Sequence, residues 1–154
     1  MIDPATVLGS VSNVTNVLNS IGSLLKGSRG AQRSLLLELE SNIRLAQIGK
    51  KGNVSSEKLV QRLETDAISK AMASGFNFSS LKSGKVKKAV AGDSAQLQRY
   101  VGWSTEKLFS NIYLRIRELQ NIVVLDPDSD HFRVNIRLKN VFRLMVLLVR
   151  HIKS

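Results

Sequence analysis

The sequence predicts an all-α fold, an antiparallel up-down bundle of about five helices forming one domain over residues 1–154. Three observations predict it. Apolar residues recur at alternating steps of three and four through five segments, the spacing of one helical stripe. No segment alternates apolar and polar residues as a half-buried strand does, and no repeat of fixed period appears. Most connections are short and built from Gly, Ser, Asp and Pro, which makes neighbouring helices antiparallel.

The first helix is expected over 4–25, with Asp3 and Pro4 as its cap and first-turn proline. Val7, Val11, Val14, Leu18, Ile21 and Leu25 form its stripe. Gly9, Ser12, Asn13, Asn16, Asn19, Ser20 and Ser23 fall opposite, so the polar face is neutral. Between Asp3 and Lys26 there is no charged residue at all. After the Gly27–Gly30 break, Leu36, Leu39, Ile43 and Ala46 place a second helix over 31–48, ended by Gly49, Gly52 and two lysines. A third follows Ser55 or Ser56 over 56–74, facing inward with Leu59, Leu63, Ala67 and Ala71 or Met72 and closed by Gly75.

Residues 76–103 read as an irregular basic connection with short helices around Asp93–Val101, partly ordered because Phe76, Phe78, Leu81, Tyr100 and Trp103 need cover. Ser104 looks like the cap of a fourth helix over 104–125, whose inner face holds Leu108, Phe109, Ile112, Ile116, Leu119 and Val123. Asp126-Pro127-Asp128-Ser129-Asp130 is a tight turn. The fifth helix, 131–153, carries Val134, Leu138, Val141, Met145, Leu148 and Ile152, flanked by Phe142, Leu144, Leu147 and Val149. It is apolar nearly all round in its second half and is expected to be the most central element.

Charge narrows the class of partner. Twenty-three Lys and Arg against 12 Asp and Glu give a net charge of +11. Residues 1–75 carry nine basic and six acidic side chains, and residues 76–154 carry fourteen and six. Such an excess attracts an anionic membrane surface, an acidic protein or nucleic acid. A second copy of the chain, as a homo-oligomer, is a further partner the composition admits. The longest purely apolar run, Leu144 to Val149, is six residues, far below the roughly 20 that a spanning helix needs. The start lacks the basic and apolar regions of a signal peptide. The chain is therefore expected to be soluble and cytoplasmic.

Catalytic constellations are thin. With no cysteine there is no thiolate nucleophile, disulfide or cysteine-based metal site. Asp126, Asp128 and Asp130 have the spacing that opens a calcium loop, but its glycine and glutamate positions hold His131 and Arg137, so a capping turn is the better reading. The two histidines, His131 and His151, stand near opposite ends of one helix and cannot share a metal. Neither Arg143 nor Arg150 stands at the spacing from His151 that the helical HEPN ribonucleases carry, and His151 reads as a helix-ending residue. Glu38 and Glu40 point to different sides of their helix. No phosphate-binding glycine loop or nucleophile elbow appears. Neither a cofactor nor a metal is expected, and the chain reads as non-enzymatic.

The basic residues carry more. Lys139, Arg143 and Arg150 are expected as an outward stripe on the last helix, with Arg133 and Arg137 as a second stripe near its start. With Lys82, Lys85, Lys87 and Lys88 they are the candidate anion-binding residues, for phosphates or lipid headgroups. Tyr100 and Trp103 beside Arg99 are the candidates for base stacking. In layout, antiparallel helices opened by an uncharged amphipathic helix resemble the helical effector domains of the HeLo type. That resemblance implies action at membranes or in death-like signalling, and no motif carries it residue by residue. The expectation is an interaction module docking on an anionic surface through basic helix faces. The alternative is a nucleic-acid-binding bundle that contacts phosphates through Lys82–Lys88 and the C-terminal arginines.

Overall fold

A computed structural model describes residues 11–126 and 133–154, and over them the fold is all-α. The helices are α1 (Val11–Lys26), α2 (Gly30–Gly52), α3 (Ser56–Arg62), α4 (Asp66–Ala73), α5 (Lys88–Ala91), α6 (Ala95–Gln98), α7 (Thr105–Leu125) and α8 (Val134–Lys153), with a 3-10 turn at Phe78–Ser80. The cap at Asp3–Pro4, the first turns of the opening helix, and the turn after Asp126 with the helix start at His131 lie outside the described residues.

The stripes face inward as their spacing requires. Val14, Leu18 and Ile21 of α1 are buried, as are Leu36, Leu39, Ile43 and Ala46 of α2 and the whole predicted inner face of α7. Val17 is buried as well, so α1 presents a wider apolar face than a single stripe. α8 is central: it packs against α1, α2, α3, α5, α6 and α7, and Leu144 to Val149 are all buried. Ser55 and Ser104 cap α3 and α7 by accepting from the N–H groups of Lys58 and Lys107 at 3.3 and 3.2 Å.

The count of about five helices needs correction at two places. The connection is more ordered than expected: α5, α6 and the 3-10 turn lie within it, and Phe78, Val86, Ala91, Leu97 and Tyr100 are buried. The predicted helix 56–74 is broken at Leu63–Thr65 into α3 and α4. No Gly or Pro marks the break; three side chains from other helices hold it. Asn42 of α2 donates to the Glu64 carbonyl at 2.9 Å and accepts from the Glu64 N–H at 2.8 Å. Gln120 of α7 donates to the carbonyls of Val60 and Leu63 at 3.2 and 2.9 Å. Glu38 accepts from the N–H groups of Ala67 and Ile68 at 2.7 and 3.0 Å, capping α4 from a neighbouring helix. Burial pushes the Glu38 carboxyl above the usual carboxylate range, although the two N–H donors pull the other way.

Glu38→Ala is therefore expected to cost about 2–3 kcal/mol, because it strands one buried and one half-buried N–H group at the start of a helix. Glu38→Gln keeps one accepting oxygen and should lose less. Urea titration measures both, and an alanine loss below about 0.5 kcal/mol would mean that those N–H groups have other partners.

Glycines mark the α2 end differently from expectation. Asn53, at φ 52°, is the left-handed residue that ends the helix. Gly49 instead permits close packing, since a Cβ there would lie 2.5 Å from Leu59 Cδ1. Gly75, at φ 70°, closes α4 as predicted.

Candidate functional site

Side-chain bonds bring four stretches of chain to one end of the bundle. Lys153 at the end of α8 donates to Ser23 Oγ near the end of α1 at 3.1 Å. Arg33 in the first turn of α2 donates to the Leu25 carbonyl at 2.9 Å, across the α1–α2 turn. Gln32 donates to Ser80 Oγ at 3.0 Å, tying the start of the connection to the same end. Lys82 Nζ donates to the Ser154 carbonyl, and the backbone at Lys85 pairs antiparallel with that at Ser104, just before α7.

A buried polar relay fastens this end. Thr105 Oγ1 donates to the Lys82 carbonyl at 2.7 Å and lies 3.0 Å from His151 Nε2. A hydroxyl has one proton, so His151 Nε2 carries the hydrogen and donates to Thr105. Both residues are buried, with His151 only 1% exposed. His151 thus ends a helix as predicted, but it is an interior residue and not a surface one. Burial, and then the Lys82 ammonium, hold its imidazole below the usual range. The geometry also denies it a general-base role toward Thr105, whose proton is already committed to a carbonyl.

This arrangement sorts the predicted anion-binding residues. Lys82, Lys85, Lys87, Lys88 and Arg150 lie on the stretches tied to this end, and Lys85, Lys87, Lys88 and Arg150 are exposed. Arg133 and Arg137 sit at the start of α8, at the other end, and Arg137 is paired with Glu118 at 2.7 Å. Arg143 lies between, bonded to Gln96 of α6. Lys139 contradicts the outward stripe: it is buried at 9% exposure, because α8 has neighbours on nearly every side. The three residues therefore form no continuous surface row.

Sequence reasoning missed Lys26, Arg29, Arg33, Lys107 and Lys153, which join the same end. One signal for them exists. In an up-down bundle alternate helices finish at the same pole, so basic last turns of the first and last helices fall together. Within residues 26–33, 82–88, 104–107 and 150–154, Glu106 is the one acidic side chain. Tyr100 is buried and accepts from Arg115 at 3.1 Å. Trp103 packs edge-on against Tyr100 at 4.8 Å, and Lys107 covers its face at 4.3 Å. Tyr100 therefore offers no stacking face, and Trp103 is half-buried with Lys107 over its ring.

Among the described residues no three His, Asp or Glu side chains gather to hold a metal, and no helix is long and apolar enough to cross a membrane. No protein-family model, no curated protein and no solved structure matches the chain.

Proposed function

We propose that this chain is a non-enzymatic interaction module that docks the basic end of its bundle on an anionic surface, a membrane leaflet or an acidic protein. The observation that supports the reading is that the stretches carrying Lys26, Arg29, Arg33, Lys82–Lys88, Lys107, Arg150 and Lys153 are tied to one end of the bundle, with Glu106 the one acidic side chain in those stretches. Each basic side chain near an anionic leaflet contributes about 1 kcal/mol, and the attraction fades within a Debye length. Beside this end lies the exposed face of α1, with Asn16, Asn19 and Ser23, which neither repels a surface nor adds charge. A buried Tyr100 and a half-buried Trp103 with Lys107 over its ring favour this reading over nucleic acid, since they leave little platform for base stacking beside the phosphate contacts.

Sedimentation with vesicles, with and without phosphatidylserine, and titration with duplex and single-stranded nucleic acid test it at about 50 and about 150 mM salt. Binding to the anionic vesicles should weaken steeply at the higher salt. Lys85→Glu with Lys87→Glu and Lys88→Glu should abolish it, whereas Arg133→Glu with Arg137→Glu should leave it nearly unchanged. Nucleic acid binding alone would transfer the reading to the alternative. Equal losses from the two ends, or no binding at the lower salt to vesicles, to an acidic polypeptide or to nucleic acid, would overturn docking through this end.

A further inference from the structure

The anionic-docking reading leaves open which anion is recognised, and one groove at the basic end speaks to that. It runs between α1 and the last turn of α8, has a volume of about 350 Å³, and is lined by Asn16, Val17 and Ser20 on one side and Val149, Arg150, Lys153 and Ser154 on the other, with the Ser154 carbonyl held by Lys82 Nζ. Val17 and Val149 are buried and form an apolar floor, so polar interactions above them are strengthened.

The walls are made of donors. Asn16 and Ser20 are four apart and share one face of α1, while Arg150 and Lys153 are three apart and share one face of α8. The Arg150 guanidinium, the Asn16 amide and the Ser20 hydroxyl have no hydrogen-bond or ion-pair partner among the described residues. Lys153 uses one of its three donors on Ser23 Oγ, which holds its ammonium toward α1. No acidic side chain lines the groove, and α1 has none in its length.

The end of α8 opposes an anion with about half a negative charge, against two full positive ones. Its last carbonyls are also engaged: Ser154 N–H reaches those of Arg150 and His151, and Ser154 Oγ donates to His151 at 2.6 Å.

We propose that this groove binds a phosphomonoester group, with Arg150 donating two parallel N–H bonds, Lys153 supplying the second charge, and Asn16 and Ser20 completing the oxygen shell. A guanidinium fork matches phosphate oxygens, and a dianion balances both cations. The proposal rests on the anionic-docking reading and narrows it to one chemical class. A lipid headgroup and free phosphate both present this group, and the two arms of the test separate those sources.

In the first arm, inorganic phosphate is titrated into the full chain at neutral pH, with amide and side-chain shifts followed by NMR and chloride at equal ionic strength as control. Saturable shifts are expected at Asn16, Ser20, Arg150 and Lys153. Arg150→Gln with Lys153→Gln should weaken phosphate at least about tenfold with the fold intact by circular dichroism, and Arg150→Lys should fall between. In the second arm, vesicles containing phosphatidic acid are compared with phosphatidylserine vesicles of matched charge. A preference for phosphatidic acid that the double variant loses, with residual binding to both, assigns the group to a lipid. Groove shifts without that preference assign it to free phosphate. Absence of saturable groove shifts, or an unchanged affinity in the double variant, overturns the proposal even if vesicle binding persists. Groove shifts in a chain that binds no anionic surface would sink the docking reading and leave the phosphate site standing.

Discussion

A chain beginning at Gly30 is expected to lose its cooperative thermal transition. Val14, Val17, Leu18 and Ile21 of α1 are buried, with Ile21 fully enclosed, and they lie against α2 and α8. Each such side chain contributes roughly 1.5–3 kcal/mol on burial. Together they approach the whole stability of a typical domain, about 5–15 kcal/mol. Removing α1 also uncovers one side of α8, whose second half is apolar almost all round. The neutral polar face of α1 thus belongs to a structural member of the bundle. Calorimetry or circular dichroism melts of the two chains decide the matter, and a transition in the shortened chain like that of the full one would show α1 to be dispensable to the fold.

Leu148→Ala should cost about 2–5 kcal/mol, the loss of buried methyl groups plus the cavity left behind. Leu148 is fully buried on the central helix, and α8 is gripped by neighbours on several sides, so the site has little freedom to collapse. Arg150, two residues on, is exposed, and Arg150→Ala should change stability by less than about 0.5 kcal/mol. The pair separates packing from binding on a single turn of helix. Denaturant titrations giving equal losses would contradict the facing of α8.

Helices were legible where burial follows a single stripe. The inner face of α7 and the apolar rows of α2 and α8 were readable because three-four spacing is a local property, set by 3.6 residues per turn. The break at Leu63–Thr65 was not readable, because the groups that satisfy its backbone come from Glu38, Asn42 and Gln120, distant in sequence. Two polar residues one turn apart on the buried side of α2, Glu38 and Asn42, were its trace. Lys139 is interior for a related reason: helical spacing alone implies one core direction, and α8 has several.

The candidate site divides in the same way. Each lysine and arginine was visible by itself, and their excess over acids is a property of composition alone. Their assembly was not. Lys82–Lys88 join Arg150 and Lys153 because the connection leaves and returns at the pole where α1 and α8 finish, pinned by Lys82 to Ser154 and by Thr105 to His151. By itself the sequence determined the helical class, the inward faces and the charge, since periodicity and composition need no partner. Only the tertiary structure decided where the long helix breaks, that His151 and Lys139 are interior, and which cations share an end. Those are contacts between residues far apart in the chain, and no local pattern encodes the distance between them.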